Sequence, residues 1–459
     1  MSKILINNKD INKLFNTEIN SLNFSGCSLD SRNIKKNNIF FAYKGKKNDG
    51  NKFIAQAKNN GAILAFVEKK NPRVKIFQIV VKNTHLALIK LAKHARLKSV
   101  ANIIAITGSV GKTSTKDALT HTLNQDDNIF SAQKSFNNIF GVPLEILNMP
   151  KNTKIAIFEI GMNHSGEITR LIKILRPHIG VVLNVSYVHG GNFDNEKQIA
   201  DAKAEIINKD YPLQTLILNK DNKYYNKLKN KANKNKIINI LTYSKQTKAN
   251  FTLSKLSLNK TKYLVEVKFQ NSKKINYTVN SINDYLVGNS MAILACLKVT
   301  GVNITRIKKL SSLMLTEGRG NIITTKLLDK NIQIHNHSYN SSPASMVASL
   351  EIFLNISKKQ NLIIVGDMNE LGSKTNYYHL KLLKLLKQNK NNIYLLVGKI
   401  LYKYKQMNLL SNTFFYRDTN VLINDLKNHL YYDNNIFIKG SNSINLQKVV
   451  NHLIKPIEN

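Results

Sequence analysis

NIIAITGSVGKTST, residues 102–115, joins a short apolar run, a turn punctuated by two glycines and the opening of a helical pattern. An apolar run bounded by glycine reads as a buried strand. A strand, a glycine loop and a helix start form an anion site. The first-turn N–H groups lack partners within the helix and point at the ligand, and the helix dipole favours negative charge. Gly108 and Gly111 allow a close backbone approach, Lys112 neutralises phosphate charge, and Thr113 can place a hydroxyl on Mg²⁺. The common motif has a glycine where Ile106 stands, so this loop is the shorter form T-G-x-x-G-K-T. Thr107, Gly108, Ser109, Val110, Gly111, Lys112, Thr113 and Ser114 are the expected nucleotide cradle, for ATP or GTP. The loop alone does not name the acceptor of the phosphoryl group.

Outward from the loop, KIAIFEIG (154–161) and GVVLNVS (180–186) read as further buried strands with the helical stretch GEITRLIKIL between them. Such alternation predicts a parallel sheet covered on both faces. Residues 246–280 alternate like antiparallel strands and are expected to form a small appended sheet. Upstream, FFAYKG (40–45), NKFIAQAKNNGA (51–62), AILAFVE (62–68) and the helical spacing over 84–98 describe a small α/β unit. Downstream, NLIIVGD, IYLLVG and NIFIKG are strands that each end in glycine, the signature of a second doubly wound unit. The fold class expected is α/β in three domains: a small α/β domain at 1–98, a central phosphate-loop domain with a parallel sheet at 99–318, and a Rossmann-like domain at 319–459.

At 459 residues the chain exceeds one ordinary core. Its formal net charge of +40 first suggests a nucleic-acid partner. The lysines are spread along the chain rather than clustered between aromatics, so the expectation is a solvated surface and no nucleic-acid partner. Two distant cysteines, Cys27 and Cys296, make neither a disulfide framework nor a metal cluster. No apolar run approaches the length of a membrane span. The protein is expected to be cytoplasmic, monomeric and without a membrane partner.

Glu159, at the carboxyl end of a strand beside the loop, stands where a Mg²⁺ ligand belongs. His164 and His189 follow strand ends. Asn137 and Asn138 could hold a nucleotide or a metal shell through their amides. Lys203, in IADAKAEII, reads by itself as one more surface lysine.

Together these pieces resemble the Mur ligase family of ATP-dependent amide-bond ligases. The resemblance rests on TGSVGKTS, FNNIFGVPL, FEIGMNHSGEI, ADAKAEI, EGRG, SYNSSP, VGDMNELG and IKGS, with DSR (30–32), FFAYKG and NDGNKF near the start. SYN followed by SSP, FNNIFGVPL and VGDMNELG resemble the member that adds D-alanyl-D-alanine to UDP-N-acetylmuramoyl-tripeptide (UDP-MurNAc-tripeptide). The resemblance implies ATP and Mg²⁺, with that UDP-sugar peptide and D-Ala-D-Ala as substrates. It implies Thr113, Glu159, His189 and a carbamylated Lys203 as metal ligands. It places Asn138, Asn289, Arg319, Tyr339 and Asn340 on the nucleotide side. Lys439 is implied as a substrate contact, and Asp30, Ser31 and Arg32 as part of the uridine-nucleotide site. Lys112, Lys203, His189 and Arg319 are implied in catalysis.

The sequence departs from the family pattern at four places. Gly190-Gly191 replaces Leu-Glu after His189, and Tyr285-Leu286 replaces a His-Asn pair. His337 replaces an Asp, and Asn442 replaces an Arg. The alternatives on these residues are a Mur ligase that adds diaminopimelate or lysine, a nucleotide-binding protein without ligase turnover, and a basic nucleic-acid ATPase.

Overall fold

The structure is a computed structural model. It describes residues 4–45, 48–123, 128–133, 136–188, 190–259, 262–270, 272–281, 284–327, 330–357, 360–407, 412–430 and 435–454. Three sheets organise the chain. The first holds β1 (Gly26–Ser28), β2 (Asn38–Phe41), β3 (Ala62–Val67) and β4 (Phe77–Val80), all parallel and in sequence order. The helix Thr84–Lys98, capped by the Asn83 side chain on the Leu86 N–H, leads out of it.

The second sheet holds β5 (Asn102–Thr107), β6 (Ile129–Ser131), β7 (Ile155–Glu159), β8 (Ile179–Val182), β9 (Thr215–Asn219), β10 (Asn239–Ser244), β11 (Phe251–Asn259), β12 (Lys262–Phe269) and β13 (Lys273–Val279). Its order is β13-β12-β11-β10-β9-β8-β5-β7-β6. The strands from β6 through β11 pair in parallel, and β12 and β13 are antiparallel. The antiparallel strands read from the sequence are therefore not an appended sheet. β11 pairs with β10 at Tyr243 and Ser244 and continues the central sheet.

Period-two alternation along β5 explains why both faces are covered. Ile104 and Ile106 join a core with Leu119 of the helix Lys112–Leu123 and Met291 of the helix Asp284–Val299. Ile103 and Ala105 face the opposite core, with Ile146, Leu171 and Ile199 from the helices Gly141–Asn148, Glu167–Leu175 and Glu196–Lys203. β5 and β8 are neighbours, yet the chain leaves β5 toward β6 and leaves β8 toward β9. That divergence opens a crevice at their carboxyl ends.

The third sheet comprises β14 (Asn321–Leu327), β15 (Lys330–His337), β16 (Leu362–Gly366), β17 (Ile393–Val397), β18 (Thr413–Tyr416) and β19 (Ile436–Lys439), in the order β14-β15-β19-β16-β17-β18. β14 and β15 form an antiparallel pair, and the others run parallel to β15. Both cysteines are buried and free. Among the described residues, no helix is long and apolar enough to cross a membrane.

Candidate active site

The carboxyl ends of the second and third sheets border one cavity of about 940 Å³. One wall is the loop Ser109–Ser114 with Asn137, Asn138 and Glu159; the other carries Arg319, His337, Tyr339, Asn340, Glu370 and Lys439.

The loop is held from below by a side chain that the motif does not contain. Asn184, just past β8, accepts the Val110 N–H at 2.9 Å through Oδ1 and donates Nδ2 to the Val110 carbonyl at 2.8 Å. Its own carbonyl accepts the Ser109 N–H at 3.0 Å. Ser109 Oγ donates to the Ser186 carbonyl and accepts the Ser186 N–H, both at 2.9 Å. Gly111 has φ +89°, and a β-carbon there would run into the Asn289 amide. Asn289 is buried against that turn and lines the cavity. Lys112 donates Nζ to the Gly108 carbonyl at 2.8 Å. Burial lowers its pKa, Glu159 pulls it back up, and Arg319 lowers it further.

Glu159 is buried, and both carboxylate oxygens are held. Thr113 Oγ1 donates to Oε2 and Asn137 Nδ2 donates to Oε1, each at 2.6 Å. The tandem asparagines thus divide their work. Asn137 touches the carboxylate. Asn138 lines the cavity but spends Oδ1 on the N–H groups of Phe140 at 3.0 Å and Gly141 at 2.9 Å, where the helix Gly141–Asn148 begins.

Lys203 ends the helix Glu196–Lys203 and is 2 % exposed, so the surface reading fails. Burial drives its amine well below the ordinary lysine range, and the nearby charge of Lys112 adds to the effect. His189 lies outside the described residues. His164 is exposed, 3.3 Å from Glu167, and does not line the cavity.

On the facing wall the Arg319 guanidinium lies 3.9 Å from the centre of the Tyr339 ring. Its Nε is buried without a hydrogen-bond partner among the described residues. Lys439, the last residue of β19, donates Nζ to the Asn340 carbonyl at 3.1 Å. Burial, reinforced by Arg319, pulls its pKa down to about 7. His337 is buried beside it, and burial holds the imidazole well below its usual range. Asp30, Ser31 and Arg32 do not line this cavity. They form a turn on the first sheet's side, where Arg32 bridges Asp30 at 2.7 Å and Ser31 donates to Gln56 at 2.7 Å.

The Gly190 departure has a structural reason, whereas nothing in the structure explains the glycine at 191. A β-carbon on Gly190 would press on the Tyr187 ring and the Leu371 carbonyl, and one on Gly372, at φ +56°, would overlap the Gly190 carbonyl. The Gly191 N–H donates to the Glu370 carbonyl at 3.3 Å. Tyr187 packs against Tyr378, the rings tilted by 30° with centres 5.4 Å apart, and lies under the Lys374 ammonium at 4.5 Å. The loop after β8 and the turn after β16 therefore meet backbone to backbone. Tyr285 also joins the two walls, donating its hydroxyl to the Ala344 carbonyl at 3.4 Å.

Among the described residues, no group of three or more His, Cys, Asp or Glu side chains could hold a metal ion. The Thr113 hydroxyl and Glu159 carboxylate are hard oxygen donors of the kind that hold Mg²⁺ when phosphates complete its shell. Asn184 was not singled out in the sequence, Glu370 stood there only within VGDMNELG, and Asn137 was named for a nucleotide or a metal shell rather than as a partner of Glu159. Asn184 left a signal: a polar residue directly after an apolar strand, at the carboxyl end of a sheet that also carries the phosphate loop.

The Mur ligase middle domain matches residues 106–297, and the Mur ligase family catalytic domain matches residues 23–96. The UDP-N-acetylmuramoyl-tripeptide–D-alanyl-D-alanine ligase of Rickettsia prowazekii is 34% identical over 455 residues, covering 97% of this chain and 99% of that protein. The ligase of the same name from Bacillus subtilis is 27% identical over 94% of this chain and 93% of its own. A MurF crystal structure from Acinetobacter baumannii superposes with a TM-score of 0.85 at 24% identity, over 99% of each chain. MurF ligase from Thermotoga maritima in complex with ADP superposes with a TM-score of 0.80 at 24% identity, over 96% of this chain and 99% of that one. At such identity the superpositions speak for the fold, which is the three-domain α/β architecture.

Proposed function

The chain belongs to the Mur ligase family, and from that premise we propose that it joins D-alanyl-D-alanine to UDP-N-acetylmuramoyl-tripeptide with ATP, in cytoplasmic peptidoglycan precursor synthesis. The observation that carries the reading is the single cavity with the phosphate loop on one wall and Arg319, Tyr339 and Lys439 on the other.

A carboxylate is a poor electrophile. Phosphorylating the tripeptide's terminal carboxylate turns one of its oxygens into a leaving group, which phosphate then carries away as the dipeptide amine forms the amide. Lys112 and the loop N–H groups hold the transferring phosphoryl, where charge develops in flight. Arg319 meets it from the other wall and stacks on Tyr339, a fit for the nucleotide side. Thr113 and Glu159 would hold Mg²⁺, which when bound neutralises phosphate charge. Lys203, buried and biased toward the neutral amine, suits the carbamate that the family resemblance implies. We assign residues 1–98 to the UDP-sugar, with Asp30, Ser31 and Arg32 in its site, 99–318 to ATP and 319–459 to the acceptor side. His189 and Asn289 keep their implied places beside the metal and the nucleotide.

The test is phosphate release by purified protein with ATP, Mg²⁺, UDP-MurNAc-tripeptide and D-Ala-D-Ala, omitting each in turn. The expected result is release that needs all four, with UDP-MurNAc-pentapeptide appearing. Nucleotide binding without release would overturn the proposal in favour of a binding protein.

A further inference from the structure

We propose that Thr316 is a positioning residue that sets Arg319 against the phosphate loop, an assignment that rests on the ligase reading above. Lys112 and Arg319 line the same cavity from opposite walls. Two cations that face each other repel until phosphate lies between them, so Arg319 needs a mechanical hold. Its Nε does not supply one, being buried without a hydrogen-bond partner among the described residues.

The hold runs through the backbone. Residues 316–319 form a tight turn: the Arg319 N–H donates to the Thr316 carbonyl at 3.0 Å, and Gly318, third in the turn, has φ +75°. On one side the turn is pinned to the C-terminal domain. The Gly318 carbonyl accepts the Tyr339 N–H at 3.0 Å, and Glu317 accepts Gln447 Nε2 at 2.6 Å. On the other side Thr316 donates Oγ1 to Asp117 Oδ2 at 2.9 Å. Asp117 belongs to the helix Lys112–Leu123, whose first turn carries Lys112 and Thr113, and Lys116 reaches its Oδ1 at 2.8 Å. The helix that opens with the phosphate cradle therefore also fixes the first residue of the turn that ends in Arg319. One hydroxyl sets the spacing between the two cations that meet the phosphoryl group.

The experiment is a double-mutant cycle on the affinity for a non-hydrolysable ATP analogue with Mg²⁺, read by calorimetry and needing no turnover. Thr316→Val keeps the shape and loses the hydroxyl. Its affinity for the analogue is expected to fall about 3- to 10-fold, and turnover with it. Thr316→Ser keeps the donor and should return to the parent level. In an Arg319→Ala background, adding Thr316→Val should cost nothing more, because the residue through which it acts is gone. Should Thr316→Val not fold, Asp117→Ala removes the same bond from the other end and takes its place in the cycle. Parent-like affinity in Thr316→Val, a Thr316→Ser variant as weak as Thr316→Val, losses that add in the double variant, or a parent that does not bind the analogue overturns the assignment. A parent that binds the analogue but forms no amide overturns the ligase reading, whereas the cycle judges the hold on Arg319 by itself.

Discussion

Gly372 packs its α-carbon against the carbonyl of Gly190, so closely that the two domains touch through bare backbone. Gly191, one residue on, has open space around its α-carbon. The expected outcome of Gly190→Ala or Gly372→Ala is a fall in turnover of about 10- to 100-fold, because a misplacement of an ångström between walls is costly in a positioned reaction. Gly191→Ala should match the parent. Steady-state kinetics on the three variants decides it: equal effects at 190 and 191 would remove the contact from any part in catalysis.

Asn137 and Asn138 are adjacent, but only Asn137 reaches Glu159. Asn137→Ala is expected to cut turnover at least about 10-fold and to weaken Mn²⁺ binding in the presence of ADP, read by electron paramagnetic resonance, because Glu159 loses a partner worth roughly 1–3 kcal/mol. Asn138→Ala should instead lower thermal stability, by about 1 kcal/mol, through the unpaired N–H groups of Phe140 and Gly141. If Asn138→Ala weakens Mn²⁺ binding as much as Asn137→Ala does, the division of roles is wrong.

Lys203 is expected to be essential as a carbamate. Its lowered pKa leaves more unprotonated amine at neutral pH than an ordinary lysine has, and only that form adds carbon dioxide. Lys203→Ala should abolish turnover, and a short carboxylic acid should partly restore it. With ¹³C-bicarbonate, the parent should show a carbamate resonance that the variant lacks, and acidification should remove it by protonating the amine. Full activity in untreated Lys203→Ala would exclude the role.

The fold was legible because its signals are local. The apolar runs at 102–107, 155–159 and 362–366 are strands as read, and the helical spacing over Thr84–Lys98 is a helix over those residues. What was not legible is which neighbour each strand finds. β11 alternates like any edge hairpin, and only its two-residue register with β10 makes it part of the central sheet. The same limit governs the site. Lys112, Thr113 and Glu159 announce themselves by position relative to a strand end. Asn184 shows in the sequence only as a polar residue past a strand end, and its hold on the phosphate loop follows once β8 is seen to lie beside β5. Lys203 looks like any lysine until its helix is packed, and Gly190 looks like a lost side chain until Gly372 is seen against it.

Glu145 gives the chain a pH-dependent weakness. It is 2 % exposed in the helix Gly141–Asn148, where Oε2 accepts the Gln133 N–H at 2.9 Å. Burial pushes its pKa up to about 7, against the smaller opposing effects of that hydrogen bond and Lys116. Unfolded, the same carboxyl releases its proton near pH 4.3. Between those values the folded chain holds a proton that the unfolded chain has lost, so Glu145's contribution to stability falls as pH rises through the window. Above about pH 7 the whole cost is present, on the order of 3 kcal/mol. Glu145→Gln keeps an acceptor for Gln133 and has no charge to bury. Its stability should approach the parent's at pH 4.5 and exceed it at pH 8. The quantity to compare is the difference in urea midpoint between variant and parent at each pH, which cancels the titration of every other group. A difference that is the same at both values would mean that Glu145 is ionised throughout and that its neighbours already stabilise the charge.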